Sequence, residues 1–401
     1  MERFLDAMFT GSNEDRGVLA AIRQAALDSE PVSGLTHRHY KYPARFSPKF
    51  VRVAIEVFSK PGDFVLDPYM GGGTAMVEAM ALGRRGIGCD INSLALFVTR
   101  VKTTHLTQLE KHEISIWAND VVPTLSYRHS DPRIEEVLCE KRTYNLHLPN
   151  VRPIKKFVAL ALASLDTMST NAQEFTRCVL LNVAQRALNG NKEPIALEQF
   201  RARVTNVALK MLISSAEMTD SLQEVGHHTV LPVLIHDSAE NIAKHEPFKQ
   251  GKRVGLVVTS PPYPGVHVLY HRWQVDGRRE TPAPYWIANC LDGQGESYYT
   301  FGHRNSKRAD VYFEQSLKTL QAIRSVMKEG GVIAQMVAFS NPRTQLKRYL
   351  DNMVKAGFRE ARTSSDRPIR TWRIVPGRSW HANYKGETHS AREVALLHIA
   401  V

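Results

Sequence analysis

The stretch Phe64-Val65-Leu66-Asp67-Pro68-Tyr69-Met70-Gly71-Gly72-Gly73-Thr74 decides the fold. Phe64 to Leu66 is a short apolar run that suits a buried strand, and a proline and three glycines stop it. Ala75 to Leu82 follows with helical composition, then Gly86-Ile87-Gly88-Cys89 runs apolar to Asp90. Strand, glycine loop, helix and strand make a β-α-β unit of the doubly wound kind. The glycines let backbone approach a ligand at the start of the helix. Asp90, ending the second strand, is placed to accept hydrogen bonds from two ribose hydroxyls.

Two common nucleotide sites are excluded. The G-x-G-x-x-G spacing of a dinucleotide fold is absent, and no Gly-Lys-Ser/Thr follows the glycines as in a phosphate-binding loop. Asp67 would repel a pyrophosphate but can accept from an ammonium group. A cationic nucleoside is therefore expected, and S-adenosyl-L-methionine fits through its ammonium, sulfonium and ribose.

The alternation resumes with Val230 to His236, which ends at Asp237-Ser238. Asp237 would lie near the adenine amino group of the same cofactor, or would simply cap a helix over Ala239 to Ala243. Lys252 to Val258 is a further β-branched run, stopped by Ser260-Pro261-Pro262-Tyr263 after Thr259. Two prolines cannot continue a sheet ladder, but their carbonyls still accept hydrogen bonds. Between a hydroxyl and an aromatic face, that turn is suited to holding a flat substrate through an amino group.

Around these motifs the chain of 401 residues leaves room for one large α/β domain with an insertion, or for two domains. A hydrophobic fraction of 43% rules out wholesale disorder. No apolar run of about eighteen residues appears, so no transmembrane helix is expected. The N-terminus lacks the basic-then-apolar pattern of a signal peptide. Cys89, Cys139, Cys178 and Cys290 are scattered, which argues for a reducing compartment and against zinc or disulfides. A cytoplasmic location is expected. The formal charge of +12 favours a polyanionic partner.

Residues before Gly34 read as a helical lead. His37-Arg38-His39-Tyr40-Lys41-Tyr42-Pro43-Ala44-Arg45-Phe46 reads as an extended basic, aromatic loop, and Phe50 to Phe58 as an amphipathic helix. Residues 105–228 interrupt the alternation as a mainly helical insertion between a cofactor-binding half (1–104) and a catalytic half (229–401). A long loop after Tyr263 carries Arg272, Trp273, Arg278, Arg279, Tyr285, Trp286 and Arg304. Asp310 to Met327 reads as a helix, Lys328 to Gly331 as a turn, and Val332 to Val337 as a strand. Two closing strands flank an arm with Arg378, Trp380 and Lys385, a cation and aromatic mixture suited to nucleic acid.

Together these motifs resemble those of the amino-group DNA methyltransferases, which methylate cytosine N4 or adenine N6. Asp67-Pro68-Tyr69-x-Gly71-x-Gly73-Thr74 is similar to their Asp-Pro-Phe-x-Gly-Ser-Gly-Thr cofactor motif, departing at Tyr69 and Gly72. Ser260-Pro261-Pro262-Tyr263 matches their catalytic tetrapeptide. Tyr42, Pro43 and Phe46 fall in the segment that closes over the methionine part of the cofactor. The likeness covers about 37–100 and 230–400.

The resemblance implies a Rossmann-like doubly wound α/β methyltransferase sheet, mostly parallel with an antiparallel C-terminal strand. It also implies S-adenosyl-L-methionine held by Asp67, Pro68, Tyr69, Gly71, Gly73, Thr74, Asp90, Ile91, Asp237 and Ser238. The substrate it implies is duplex DNA with a flipped base stacked on Tyr263, its backbone met by Arg272, Arg278, Arg279, Arg304, Arg378, Trp380 and Lys385. Serine at the head of the tetrapeptide leans toward N4-cytosine, whereas Asp-Pro-Pro-Tyr leans toward N6-adenine. The motif order is shared with some tRNA guanine-N2 methyltransferases. A cognate restriction endonuclease or defence system is the further partner class to look for. Carbon-5 chemistry needs a cysteine after proline, and no Pro-Cys pair exists.

Overall fold

The β-α-β unit stands at the centre of the computed structural model, which describes residues 13–42, 46–126, 141–191, 193, 195–226, 230–263, 272–277, 279–291, 301, 309–339, 341–374 and 392–401. Two helices lead in, α1 (Asn13–Leu27) and α2 (Pro48–Phe58). Ser47 caps α2 by accepting from the Phe50 amide at 3.4 Å, and Pro48 takes a first-turn position where its missing N–H costs nothing. Then come β1 (Phe64–Asp67), α3 (Thr74–Ala81), β2 (Arg85–Asp90) and α4 (Ser93–Thr103).

The described residues of 105–228 hold four α-helices, α5 (Gln108–Ile116), α6 (Arg152–Ala163), α7 (Thr170–Leu188) and α8 (Leu197–Glu224). β3 (Val233–His236) and β4 (Val254–Thr259) return the chain to the sheet. After them come a hairpin, β5 (Trp273–Val275) with β6 (Arg279–Thr281), and helices α9 (Ala283–Ala288) and α10 (Ala309–Ser325). The chain closes with β7 (Met327–Ala338), α11 (Pro342–Lys355), β8 (Phe358–Glu360), β9 (Arg370–Ile374) and β10 (Arg392–Ala400).

The sheet runs β3-β2-β1-β4-β7-β10-β8, with β9 also paired to β10. β3 to β7 are parallel; β10 is antiparallel to β7, β8 and β9. This is the doubly wound sheet with antiparallel C-terminal strands. Among the described residues no helix is long and apolar enough to cross a membrane.

Three local readings change. Lys328 to Gly331 is not a free turn, because β7 already pairs at Met327. Two residues of advance on β4, from Val254 to Leu256, face five on β7, from Met327 to Val332, so the segment is absorbed as a bulge. The three-residue strand β8 was too short to carry a periodic signal. The described part of the loop after Tyr263 is the hairpin and α9, and its aromatics are core. Trp273, Tyr285 and Trp286 are buried with Phe97, Trp117, Phe157 and Phe175 in one cluster with the insertion. Rings of that size are worth roughly 5 kcal/mol each when removed from water. The described residues of 273–291 therefore share a core with the helices of 105–228.

Candidate active site

β1 and β4 are parallel neighbours that end side by side. Thr259, last in β4, donates through Oγ1 to Asp67 Oδ1 at 2.7 Å, and Asp67 is last in β1. The strand order reverses here, with β2 and β3 to one side of β1 and β4 to the other. Ligands of open α/β sheets sit outside the carboxyl ends of strands at such a reversal.

Asp67 is 3% exposed. Its Oδ1 also accepts from the Tyr69 amide at 3.1 Å. Burial pushes the carboxyl up to about 7; these two hydrogen bonds oppose the rise and the nearby Asp90 adds to it. The carboxylate expected to meet a ligand's ammonium thus already joins the two motifs through one of its oxygens.

The glycine loop is held from three sides. Gly71 donates its amide to Asp90 Oδ2 at 2.9 Å, and Asn92 donates its own to Oδ1 at 2.8 Å. Gly73 caps α3 in the left-handed region, φ +75°. A Cβ there would stand 2.5 Å from Thr99 Oγ1, and one on Gly72 would stand 2.6 Å from Tyr42 Cβ. Neither position has room for a side chain. The buried Lys102 donates through Nζ to the Gly72 carbonyl at 2.7 Å. Burial pushes the Asp90 carboxyl up to about 6, against the amides of Asn92 and Gly71.

Each Asp90 oxygen retains capacity for a further hydrogen bond. A carboxylate with spare acceptors beside a backbone stripped of Cβ atoms suits a ribose, so these residues fit S-adenosyl-L-methionine.

At the turn after β4, the hydroxyls of Ser260 and Tyr263 meet at 3.0 Å. Tyr263 donates to Glu393 Oε1 at 2.9 Å, and Arg373 donates to Glu393 Oε2 through Nε at 2.9 Å and Nη2 at 2.6 Å. Tyr312 donates to the Pro262 carbonyl at 2.9 Å. The Pro261 carbonyl takes no hydrogen bond from the described residues. The turn is thus anchored on both flanks, with one acceptor open.

Residues 21–96, which include the glycine loop and Asp90, match the model of a DNA methylase family. Over 254 residues the chain is 29% identical to the Type II methyltransferase M.MvaI of Kocuria varians, covering 57% of this chain and 53% of that protein. It is 23% identical over 251 residues to the Type II methyltransferase M.BsoBI of Geobacillus stearothermophilus, covering 57% and 49%. A 69-residue stretch is 36% identical to a tRNA (guanine(10)-N2)-dimethyltransferase of Methanothermobacter thermautotrophicus, covering 17% and 20%. The chain spans about half the length of the two Type II relatives.

The remaining expected site residues are distributed unevenly. Tyr42 is buried over Gly71 and Gly72, and its hydroxyl accepts from Asn92 Nδ2 at 3.0 Å. Phe46 packs its ring 5.6 Å from Phe50 within the core, and Tyr69 sets its ring edge-on to Phe301 at 5.7 Å. Pro68 and Thr74 are buried beside the loop. Ile91 accepts from His236 Nε2 at 3.1 Å through its carbonyl.

Asp237 pairs with His245 Nε2 at 2.6 Å and accepts from Asn241 and the Ser238 amide. Burial alone would raise its carboxyl, but those hydrogen bonds outweigh it and hold it below the ordinary range. Ser238 begins a 3-10 turn over Ala239–Lys244, not an α-helix. Arg272 donates to the Tyr144 hydroxyl at 2.8 Å, and Arg279 lies 3.7 Å from Asp276. Pro43, Arg278, Arg304, Arg378, Trp380 and Lys385 lie outside the described residues.

The segment before Tyr42 is not an extended surface loop. It is a series of turns that buries His37, His39 and Tyr40. Insertion side chains hold it: Asn182 donates to the Arg38 and His39 carbonyls at 3.1 and 2.9 Å, and Gln185 to that of Lys41 at 3.0 Å. Sequence reasoning also missed Asn92, Lys102, Arg373 and Glu393. Asn92 carried a signal, a capping residue just ahead of Ser93-Leu94. The other three carried none, since their partners are remote in the chain.

Proposed function

We propose that this chain methylates the exocyclic amine of a base flipped out of duplex DNA, with cytosine N4 the favoured target and S-adenosyl-L-methionine the donor. The observation that carries this reading is the Thr259–Asp67 contact, which joins the glycine-loop motif to the Ser-Pro-Pro-Tyr turn at adjacent strand ends. The sulfonium of the donor supplies an electrophilic methyl. An aromatic amine is a weak nucleophile because its lone pair is delocalised into the ring. Ser260 and the open Pro261 carbonyl would accept from the NH2 group and favour a pyramidal nitrogen. That nitrogen bonds to the methyl as the carbon–sulfur bond breaks, the bonding pair stays on sulfur, and the amine loses a proton to water. Positioning supplies most of the rate. Tyr263, Glu393 and Arg373 would fix the turn for it.

The Type II methyltransferase relatives support DNA as substrate and make a cognate restriction endonuclease the partner to seek. A second reading, an RNA base, draws on the short matches to tRNA dimethyltransferases. Incubation of purified protein with S-adenosyl-L-methionine and mixed-sequence DNA, then mass spectrometry of the digested nucleosides, tests both. N4-methylcytosine is expected. N6-methyladenine would move the target, label in RNA alone would move the substrate, and undiminished activity in Ser260→Ala with Tyr263→Ala would remove the turn from the site.

A further inference from the structure

A groove of about 670 Å³ opens between the segment around Gly34 to His39 and the helices α7 and α8. Arg38, Arg186, Arg203 and Lys210 line it, and all four are exposed. Among the described residues none of them has a side-chain ion pair, and Glu217, the one acid on the lining, pairs with none. Several arginines elsewhere are matched, as Arg100 is with Glu174, Arg370 with Glu360 and Arg373 with Glu393. Here like charges crowd together. Partial burial lowers the Arg186 guanidinium from its ordinary value, and Arg38 and Arg203 each lower it further. Unmatched cations facing one groove cost free energy until a polyanion meets them.

The spacing sets the size of that anion. Arg203 and Lys210 stand two turns apart on α8, about 10 Å along its axis. That spans about three steps of one duplex strand at about 3.4 Å each. A run of phosphates can meet all four cations along the groove, whereas a lone phosphate meets only those whose long side chains converge on it. Position ties the groove to the proposed active site. Arg38 is four residues before Tyr42, so its Cα lies within about 14 Å of the Cα of the residue whose ring covers the glycine loop.

We propose that this groove, between the insertion and the segment before Tyr42, binds the phosphodiester backbone of the nucleic-acid substrate. The inference rests on the base-methylase reading, but its test does not need methyl transfer. The full chain is titrated into a dye-labelled mixed-sequence duplex at several salt concentrations, with fluorescence anisotropy as readout. Arg186→Gln/Arg203→Gln is expected to weaken binding about tenfold, and to reduce the slope of log K against log salt by about two. Arg186→Lys/Arg203→Lys should restore much of both. S-adenosyl-L-methionine binding by calorimetry should be unchanged, which certifies the fold. An RNA duplex and inorganic phosphate form parallel arms. A loss seen with either duplex supports the groove, even if no methylated base is ever found. Equal affinity and slope in wild type and Gln variant overturn it, as does loss of inorganic phosphate binding alone.

Discussion

The Tyr263 hydroxyl donates to Glu393 across 2.9 Å, linking the turn after β4 to the last strand of the sheet. Glu393 is 2% exposed, and Arg373 from the neighbouring strand β9 neutralises it. The proposed catalytic turn is therefore braced by an ion pair two strands away in the sheet.

Tyr263→Phe should lower kcat roughly tenfold while leaving the KM for S-adenosyl-L-methionine unchanged. It removes one hydrogen bond to a charged group, worth about 1.5 kcal/mol, without emptying the space the ring fills. Steady-state assays of Tyr263→Phe, Glu393→Gln and the double variant form the check. The two losses should not add, because both variants break one link. Additive losses would separate Glu393 from the turn.

Glu393→Ala should cost roughly 3 kcal/mol of stability, since it strands Arg373 in a largely buried site. Urea denaturation measures this. A loss under 1 kcal/mol would mean that water reaches Arg373.

Asp67 and Asp90 should each contribute stability to the ligand-free protein that is lost as pH rises from about 4 to about 7. The buried His39 and His398, lowered to about 3 and about 4, contribute the opposite trend below about pH 6.5. The carboxyl contribution is therefore read as the difference between wild type and Asp90→Asn. Asp67 and Asp90 have folded pKa values of about 7 and about 6, against an ordinary 3.8. Carboxyls raised in this way contribute stability fully below the unfolded value, and that contribution is lost as pH climbs through the folded ones. Cofactor binding should show the opposite trend. Ribose hydroxyls donate to the charged form of Asp90, so affinity should rise through about pH 6 and become flat in Asp90→Asn. Calorimetry across that range decides it.

Gly73→Ala should destabilise the protein by about 2 kcal/mol or more, because it places a Cβ at φ +75° and against Thr99. Lys102→Met should be milder for folding but should weaken cofactor binding about tenfold, through loss of the donor to the Gly72 carbonyl. Denaturant midpoints and calorimetric Kd values distinguish the two effects.

What the sequence determined by itself was local. Glycines after an apolar strand, an acid at the end of the next strand and prolines after a third each state a backbone requirement within about ten residues. The β-α-β unit, the doubly wound sheet and the helical insertion were legible for that reason. Tertiary structure alone decided what lies across long loops. Thr259 meets Asp67 from 192 residues away, and Tyr263 meets Glu393 from 130. The aromatics Trp273 and Tyr285, mixed with arginines, read as a nucleic-acid surface in one dimension. In three dimensions they pack into the core with the insertion, because a three-residue strand and a six-residue helix, each too short for a clear period, turned them inward. The basic groove is invisible in the chain for the same reason. Arg38, Arg186 and Arg203 form one cationic face only once α7 and α8 fold against the segment that covers the glycine loop.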